Sequence, residues 1–182
     1  MLSDKARVQG EGQDLLARIS ATMEKADWGG MLELARRLSR VGRTFIGGAG
    51  RSGLVARSFA MRLMQTGLEV YVPGETITRG AQKGDLLVAI SCTGQTGTTY
   101  YLAQRARELG AEVVVLTTEP DSPLAKSADQ IILIPVTAEN IVRRAAVFEH
   151  STGLCLDAVF NVLSKQLKLD VDDFRRRHAN LE

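Results

Sequence analysis

The chain has 182 residues, 45% hydrophobic and 24% charged, a length and balance that suit one soluble globular domain with room for a sizeable core. Lys plus Arg number 23 against 21 for Asp plus Glu, and the surplus of +2, with aromatics at 5%, is too small to support nucleic-acid or membrane-surface binding by charge or base stacking. Two cysteines, Cys92 and Cys155, make no secreted disulfide framework, no apolar run reaches membrane-spanning length, and the segment MLSDKARVQGEGQ has no signal-like apolar stretch, so a cytoplasmic location is expected.

The apolar positions Leu15, Leu16, Ile19, Met23 and then Met31, Leu34, Ala35, Leu38 recur at helical spacing and predict two helices interrupted at Trp28-Gly29-Gly30. The chain changes character at Gly42. Thr44-Phe45-Ile46 reads as a strand running into Gly47, Gly48, Ala49 and Gly50, and a helix is expected from about Ser52 to Gln65, with Leu54, Val55, Phe59, Leu63 and Met64 on its apolar side and Gly67 as its stop. Val70-Tyr71-Val72 predicts a second strand, followed by a loop through Pro73 and Gly80, and Leu86 to Ile90 a third, ending at Ser91. A helix from about Thr96 to Leu109 closes at Gly110. Val113 to Leu116 is the fourth strand, a short helix spans Ser122 to Ser127, and Ile131 to Ile134 is the fifth strand before Pro135.

Continuous apolar runs, rather than alternation, mark strands covered on both faces, so the fold class is α/β: a doubly wound, five-stranded parallel sheet flanked by helices. A long helix is expected from about Ile141 to Leu169, with Val142, Ala146, Phe148, Leu154, Leu156, Val159, Phe160, Leu163 and Leu167 available for packing, and an acidic-then-basic turn follows from Asp170 to His178. With no linker or repeat, residues 1–182 read as a single domain with a helical extension over about residues 1–40.

Glycines number 17 against four prolines, several of them just after apolar strands, which suggests a backbone brought close to a ligand. Gly48-Ala49-Gly50-Arg51-Ser52-Gly53 is a G-x-G-x-x-G between strand and helix, where free amides attract an anion. A dinucleotide reading asks for an acid about 20 residues on, at the end of the second strand; Glu75 falls near there, but in a loop. Ser91-Cys92-Thr93-Gly94-Gln95-Thr96 ends the most apolar strand and opens the next helix with three hydroxyls and several amides, a cradle for one phosphate that needs no metal. No Gly-Lys-Ser/Thr is present, so it is not a Walker loop; the plain alternative is that Thr93 or Thr96 simply caps the helix. Two such loops on one parallel sheet share its carboxyl edge and describe a monophosphate pocket better than a dinucleotide groove.

These loops, with the segments GAGRSGLVARSFAMRLMQTG, VYVPGETITRGAQKGDLLVAIS, Phe148-Glu149, Leu156-Asp157-Ala158 and RRRHANLE, resemble the sugar isomerase (SIS) domain family and, within it, the 6-phospho-3-hexuloisomerases. The resemblance covers most of the chain beyond residue 40. It implies a flavodoxin-like sheet, a homotetramer with sites shared between subunits, no cofactor or metal, and a sugar phosphate substrate interconverted between 3-hexulose 6-phosphate and fructose 6-phosphate in the ribulose monophosphate pathway. Carried over by position, Gly50, Arg51, Ser52, Ser91, Thr93, Gly94, Gln95 and Thr96 hold the phosphate, Glu149 is the base, and His178 enters from a neighbouring subunit. Two departures stand out. Cys92, Thr93 and Gln95 replace the Gly, Ser and Glu of the usual Ser-Gly-Ser-Gly-Glu-Thr, and Arg143-Arg144-Ala145-Ala146 replaces Pro-x-Gly-Thr beside the sugar.

The chemistry supports Glu149 on its own terms. An enediol isomerisation needs a base that removes a proton beside the carbonyl and returns it to the neighbouring carbon, and a carboxyl next to Phe148 on an apolar helix gains basicity by desolvation. Otherwise Glu149 is a surface acid at a helix start, favoured by the helix dipole. His178 follows three arginines and, the resemblance aside, reads as part of a solvated tail; His150 reads as a packing or surface residue. Cys92 and Cys155 are assigned no catalytic role. The alternative functions are a non-catalytic phosphosugar sensor, an isomerase of another sugar phosphate, and a nucleotide-dependent dehydrogenase.

Overall fold

The computed structural model describes residues 3–138 and 140–181, so Glu182, the last residue of RRRHANLE, lies outside it with Met1, Leu2 and Glu139. The strands β1 (Arg43–Gly48), β2 (Glu69–Tyr71), β3 (Leu86–Ile90), β4 (Glu112–Thr117) and β5 (Gln130–Leu133) pair in parallel in the order β2-β1-β3-β4-β5, the doubly wound flavodoxin-like arrangement. β1 and β3 lie side by side with Thr44 opposite Leu86 and Gly48 opposite Ile90, so both chains leave the sheet at one edge.

Side chains from alternate positions of the strands feed two cores. Ile46, Leu86, Val88, Ile90, Val114, Leu116 and Ile132 pack under α2 (Trp28–Leu38), α3 (Gly50–Gln65) and α6 (Ile141–Gln166). Phe45, Leu87, Ala89, Val113 and Val115 face α4 (Gly97–Glu108) and α5 (Pro123–Lys126) on the other side. The five expected strands and the helices between them are all present, with ends shifted by a residue or two.

Four expectations are corrected. The first helix, α1 (Asp4–Glu24), begins well before Leu15 because Ser3 caps it, accepting from the Ala6 amide at 3.3 Å. It lies on α6 and fully buries only Thr22, with Met23 partly buried against the core, and the residues before Leu15 carry almost no apolar signature. Trp28-Gly29-Gly30 opens α2 instead of interrupting a helix, since the Asp27 carboxylate accepts from the Gly30 amide at 2.8 Å. Leu54, Met64, Val142 and Leu154, expected on packed faces, are exposed. The long helix ends at Gln166 rather than Leu169, because Lys168 adopts φ of 54° and turns the chain into α7 (Val171–Arg177).

The third glycine of the G-x-G-x-x-G has a packing role. A Cβ on Gly53 would sit 2.8 Å from the Gly48 carbonyl oxygen, so its absence lets α3 press against the end of β1. Gly53→Ala is therefore expected to cost about 1–3 kcal/mol and lower Tm by several degrees in thermal unfolding. Gly10→Ala, in open space on α1, is expected to leave Tm unchanged or raise it.

Candidate active site

At the carboxyl edge, Ala49, Arg51, Ser52, Ile90, Ser91, Cys92, Thr93, Thr96, Ile141, Ala145 and Glu149 line a cleft of about 290 Å³. Two glycine turns and one helix build it. Gly50 takes φ of 55° as β1 passes into α3, and Gly94 takes φ of 60° between β3 and α4, where a Cβ would come within 2.0 Å of Ser122 Oγ.

What separates α3 and α4 from the other helices is their N-termini. Ser3, Asp27, Ser122, Asn140 and Asp170 each cap α1, α2, α5, α6 and α7 through a side chain. Ala49 has no side chain able to cap α3, and Thr96, at the N-cap of α4, makes no capping bond. The amides that a cap satisfies elsewhere stay available here, at two helix starts whose dipoles favour an anion. The reading of Thr93 or Thr96 as a plain helix cap is thus overturned. Thr96 Oγ1 instead lies 3.3 Å from Ser91 Oγ, which accepts from the Gly94 amide at 3.2 Å, and Thr93 Oγ1 makes only a long contact, 3.4 Å, with the Gln95 amide. Gln95 is exposed, and Ser52 stands half-buried in the first turn of α3.

Glu149 forms the opposite wall. It lies well inside α6 and is 8% exposed, so the alternative of a surface acid at a helix start is also overturned. Burial raises its pKa above the ordinary glutamate value, and the Arg51 guanidinium, 2.6 Å away, and His150 pull in the other direction without cancelling it. Arg51, expected among the phosphate ligands, therefore sits in the cleft paired with the candidate base. Behind Glu149, on its other side, Leu15, Leu16, Ile19, Val55, Phe59 and Leu156 help line a groove of about 490 Å³ between α1, α3 and α6, with His150 exposed in it.

His178 is not brought to this cleft by its own chain. It ends α7 exposed, with Nδ1 2.9 Å from the Ala179 carbonyl oxygen, while its neighbour Arg177 reaches Gln65 and Gly67 at the last turn of α3. Glu149 pairs with the first turn of α3, so the length of that helix, about 20 Å, separates the two. Glu75 is ion-paired with Arg57 at 3.0 Å, both exposed, away from the glycine turn it would have to complete for a dinucleotide.

The departures from the family pattern also find places. The Cys92 carbonyl accepts from the Thr118 amide at 3.0 Å and from the Thr117 and Thr118 hydroxyls, which fixes the turn; burial raises the Cys92 pKa and pushes that of Cys155 up to about 11, so neither is poised as a nucleophile. Arg143 is drawn to Glu11 and Asp14 of α1, at 2.8 and 2.6 Å, and Arg144 to Thr118 and Glu119, leaving Ile141 and Ala145 as the wall at that end. Sequence reasoning missed the Arg51–Glu149 pair, and no local signal announces it, since the two lie far apart in the chain and meet only through the packing of α3 on α6.

A family model described as SIS domain matches residues 37–158, which takes in both loops and Glu149 and leaves His178 outside. The chain is 40% identical over 171 residues to 3-hexulose-6-phosphate isomerase of Mycobacterium gastri, covering 90% of this chain and 86% of that one. It is 40% identical over 147 residues to the enzyme of the same name from Methylomonas aminofaciens, covering 78% and 81%. A crystal structure from Methanococcus jannaschii, from which a 3-hexulose-6-phosphate isomerase function was inferred, superposes with a TM-score of 0.86 at 31% identity, covering 94% of this chain and 99% of that one.

The raised pKa of Glu149 has a consequence for stability. The folded state holds this proton more tightly than the unfolded chain, so the carboxyl favours folding most below its unfolded pKa and loses that contribution as pH rises through the folded one. Glu149→Gln is expected to raise Tm at about pH 7, with the gain shrinking towards about pH 4. Scanning calorimetry of both proteins across that range checks it, and a Tm difference independent of pH would contradict it.

Proposed function

The chain belongs to the SIS domain family, among the relatives of the 3-hexulose-6-phosphate isomerases, and from that premise we propose that it converts 3-hexulose 6-phosphate to fructose 6-phosphate through a cis-enediol. The observation that carries this reading is a buried, basicity-enhanced carboxyl facing two uncapped helix starts across one small cleft. The phosphate rests on the free amides of α3 and α4 and the hydroxyls of Ser52, Ser91, Thr93 and Thr96, with Gly50 and Gly94 bringing the backbone close and Arg51 and Gln95 at the rim. This leaves the sugar chain directed at Glu149. The carboxylate takes the proton from the carbon beside the carbonyl and returns it to the neighbouring carbon, while the departing and arriving carbonyl oxygens exchange a proton through His178 of an adjoining subunit.

A homotetramer supplies that histidine, and the exposed apolar residues beside the outer groove, Leu16, Leu54 and Leu154, support contact between copies there. The reaction belongs to the ribulose monophosphate pathway and to the cytoplasm. A phosphosugar-sensing role would have no use for a buried carboxyl beside the phosphate cradle.

A coupled assay is expected to detect fructose 6-phosphate formed from 3-hexulose 6-phosphate, with Glu149→Gln lowering kcat by about 10²- to 10⁴-fold and leaving KM little changed. An inactive wild type, or full rate in the variant, would contradict the mechanism. Sharing of sites makes a second expectation: Glu149→Gln and His178→Ala, each inactive alone, regain part of the activity when unfolded together and reassembled as mixed oligomers. No recovery in mixed oligomers whose assembly is verified would contradict the sharing of a site between subunits and the role given to His178.

A further inference from the structure

The Arg51–Glu149 pair joins the two ends of the cleft. Arg51 stands in the first turn of α3, where the phosphate is to sit, with its side chain 62% exposed, whereas the Glu149 side chain is 9% exposed. The other titratable groups facing Glu149 are His150 on its own helix and Cys92 across the cleft. From α1 the groove presents Gly12, Leu15, Leu16 and Ile19, and Asp157 farther along α6 is paired with Arg62 at 3.3 Å. Among the described residues Arg51 is therefore the guanidinium on which the charge of Glu149 depends.

That arrangement sets up a competition. A phosphate dianion carries more charge than a carboxylate and offers oxygens matched to the guanidinium fork, so it is the stronger partner. Arg51, long and exposed, can turn to it without unpacking anything, while Glu149 is held by the helix that carries it. Resting on the phosphosugar reading above, we propose that Arg51 is a counter-ion removed by substrate: in the empty cleft it pairs with Glu149, and the incoming phosphate takes the guanidinium away, leaving the carboxylate free as the base.

Two effects follow. The carboxylate that awaits substrate is held in its charged form and in place, and the same carboxylate becomes a stronger base once the substrate is seated. Binding energy at the phosphate is thus spent at the reacting carbons, where it accelerates the proton transfer instead of merely tightening binding. Arg51 acts here as a positioning residue for Glu149 as well as a ligand for the phosphate.

The acid limb of kcat/KM reports the base in the free enzyme and that of kcat the base in the complex. A nearby cation lowers a carboxyl pKa and its departure raises it, so the wild-type kcat limb is expected at higher pH than the kcat/KM limb. In Arg51→Met the two limbs coincide near the higher value and KM rises by roughly 10- to 100-fold; Arg51→Lys retains part of the separation. A readout without turnover is the ¹³C resonance of the Glu149 carboxyl titrated with and without inorganic phosphate. Phosphate is expected to raise its midpoint in wild type and much less in Arg51→Met. Coincident limbs in an active wild type, no response of the wild-type resonance to phosphate, or an equal response in both proteins would overturn the proposal, the last by assigning the shift to the charge of the phosphate itself. Absence of turnover counts against the isomerase reading alone, and the resonance titration then decides this one.

Discussion

Two parallel strands held side by side, β1 and β3, fix everything that happens at the cleft. Because they run in the same direction and pair from Thr44 with Leu86 to Gly48 with Ile90, the turns that leave them must emerge at one edge, a strand spacing apart, and each must start a helix there. Two helix starts in such proximity concentrate unsatisfied amides and dipole ends of the same sign. In a protein that caps its other described helices with side chains, these two are left uncapped, which on the proposed function keeps their amides for an anion at the expense of local stability. The small net charge of +2 fits the proposed reading, in which a phosphate held by amides and hydroxyls would need little lysine.

The opposite wall works on the opposite principle. A phosphate site gains from polarity, but a carboxylate that must lift a proton from carbon gains from its absence. The proposed mechanism makes both demands, and the fold places Glu149 beside fully buried Phe148 on α6, a helix with no part in the glycine turns, and sets it across the cleft from them. Arg51 is where the two environments meet. The arginines at the start of α6, Arg143 and Arg144, are both engaged with acidic groups, Arg143 with Glu11 and Asp14 of α1 and Arg144 with Glu119 beside the Cys92 turn, which leaves small Ala145 in the cleft wall.

Much of this was legible in the sequence, for physical reasons that also explain what was not. Leu86 to Ile90 and Val113 to Leu116 are apolar at every position because both faces of the sheet are covered, and such runs are hard to mistake. The glycines of Gly48 to Gly53 and Gly94 are backbone requirements, so residue type alone reveals them. The start of α1 was poorly legible because the residues before Leu15 carry little apolar character and the helix rests on α6, not on the sheet. Leu54, Met64, Val142 and Leu154 misled the assignment of packed faces, since these apolar side chains lie exposed outside the core. Glu149 could be suspected but not placed: whether an acid on a helix is buried depends on what packs over it, and here that is α3, which contributes Arg51 from nearly a hundred residues away. The location of His178 at the far end of α3 was likewise beyond local pattern, being set by how α7 folds back on Gly67.

The central claim is geometric, that one cleft holds the phosphate at two uncapped helix starts while Glu149 meets the carbons that exchange a proton. A crystal structure of Glu149→Gln with a hexulose 6-phosphate bound tests it most directly. The account predicts phosphate oxygens within hydrogen-bond distance of the α3 and α4 amides and of Ser91 and Thr96, with the side chain at position 149 about 3–3.5 Å from the carbon beside the carbonyl. A phosphate bound elsewhere, or a sugar whose reacting carbons face away from position 149, would contradict it.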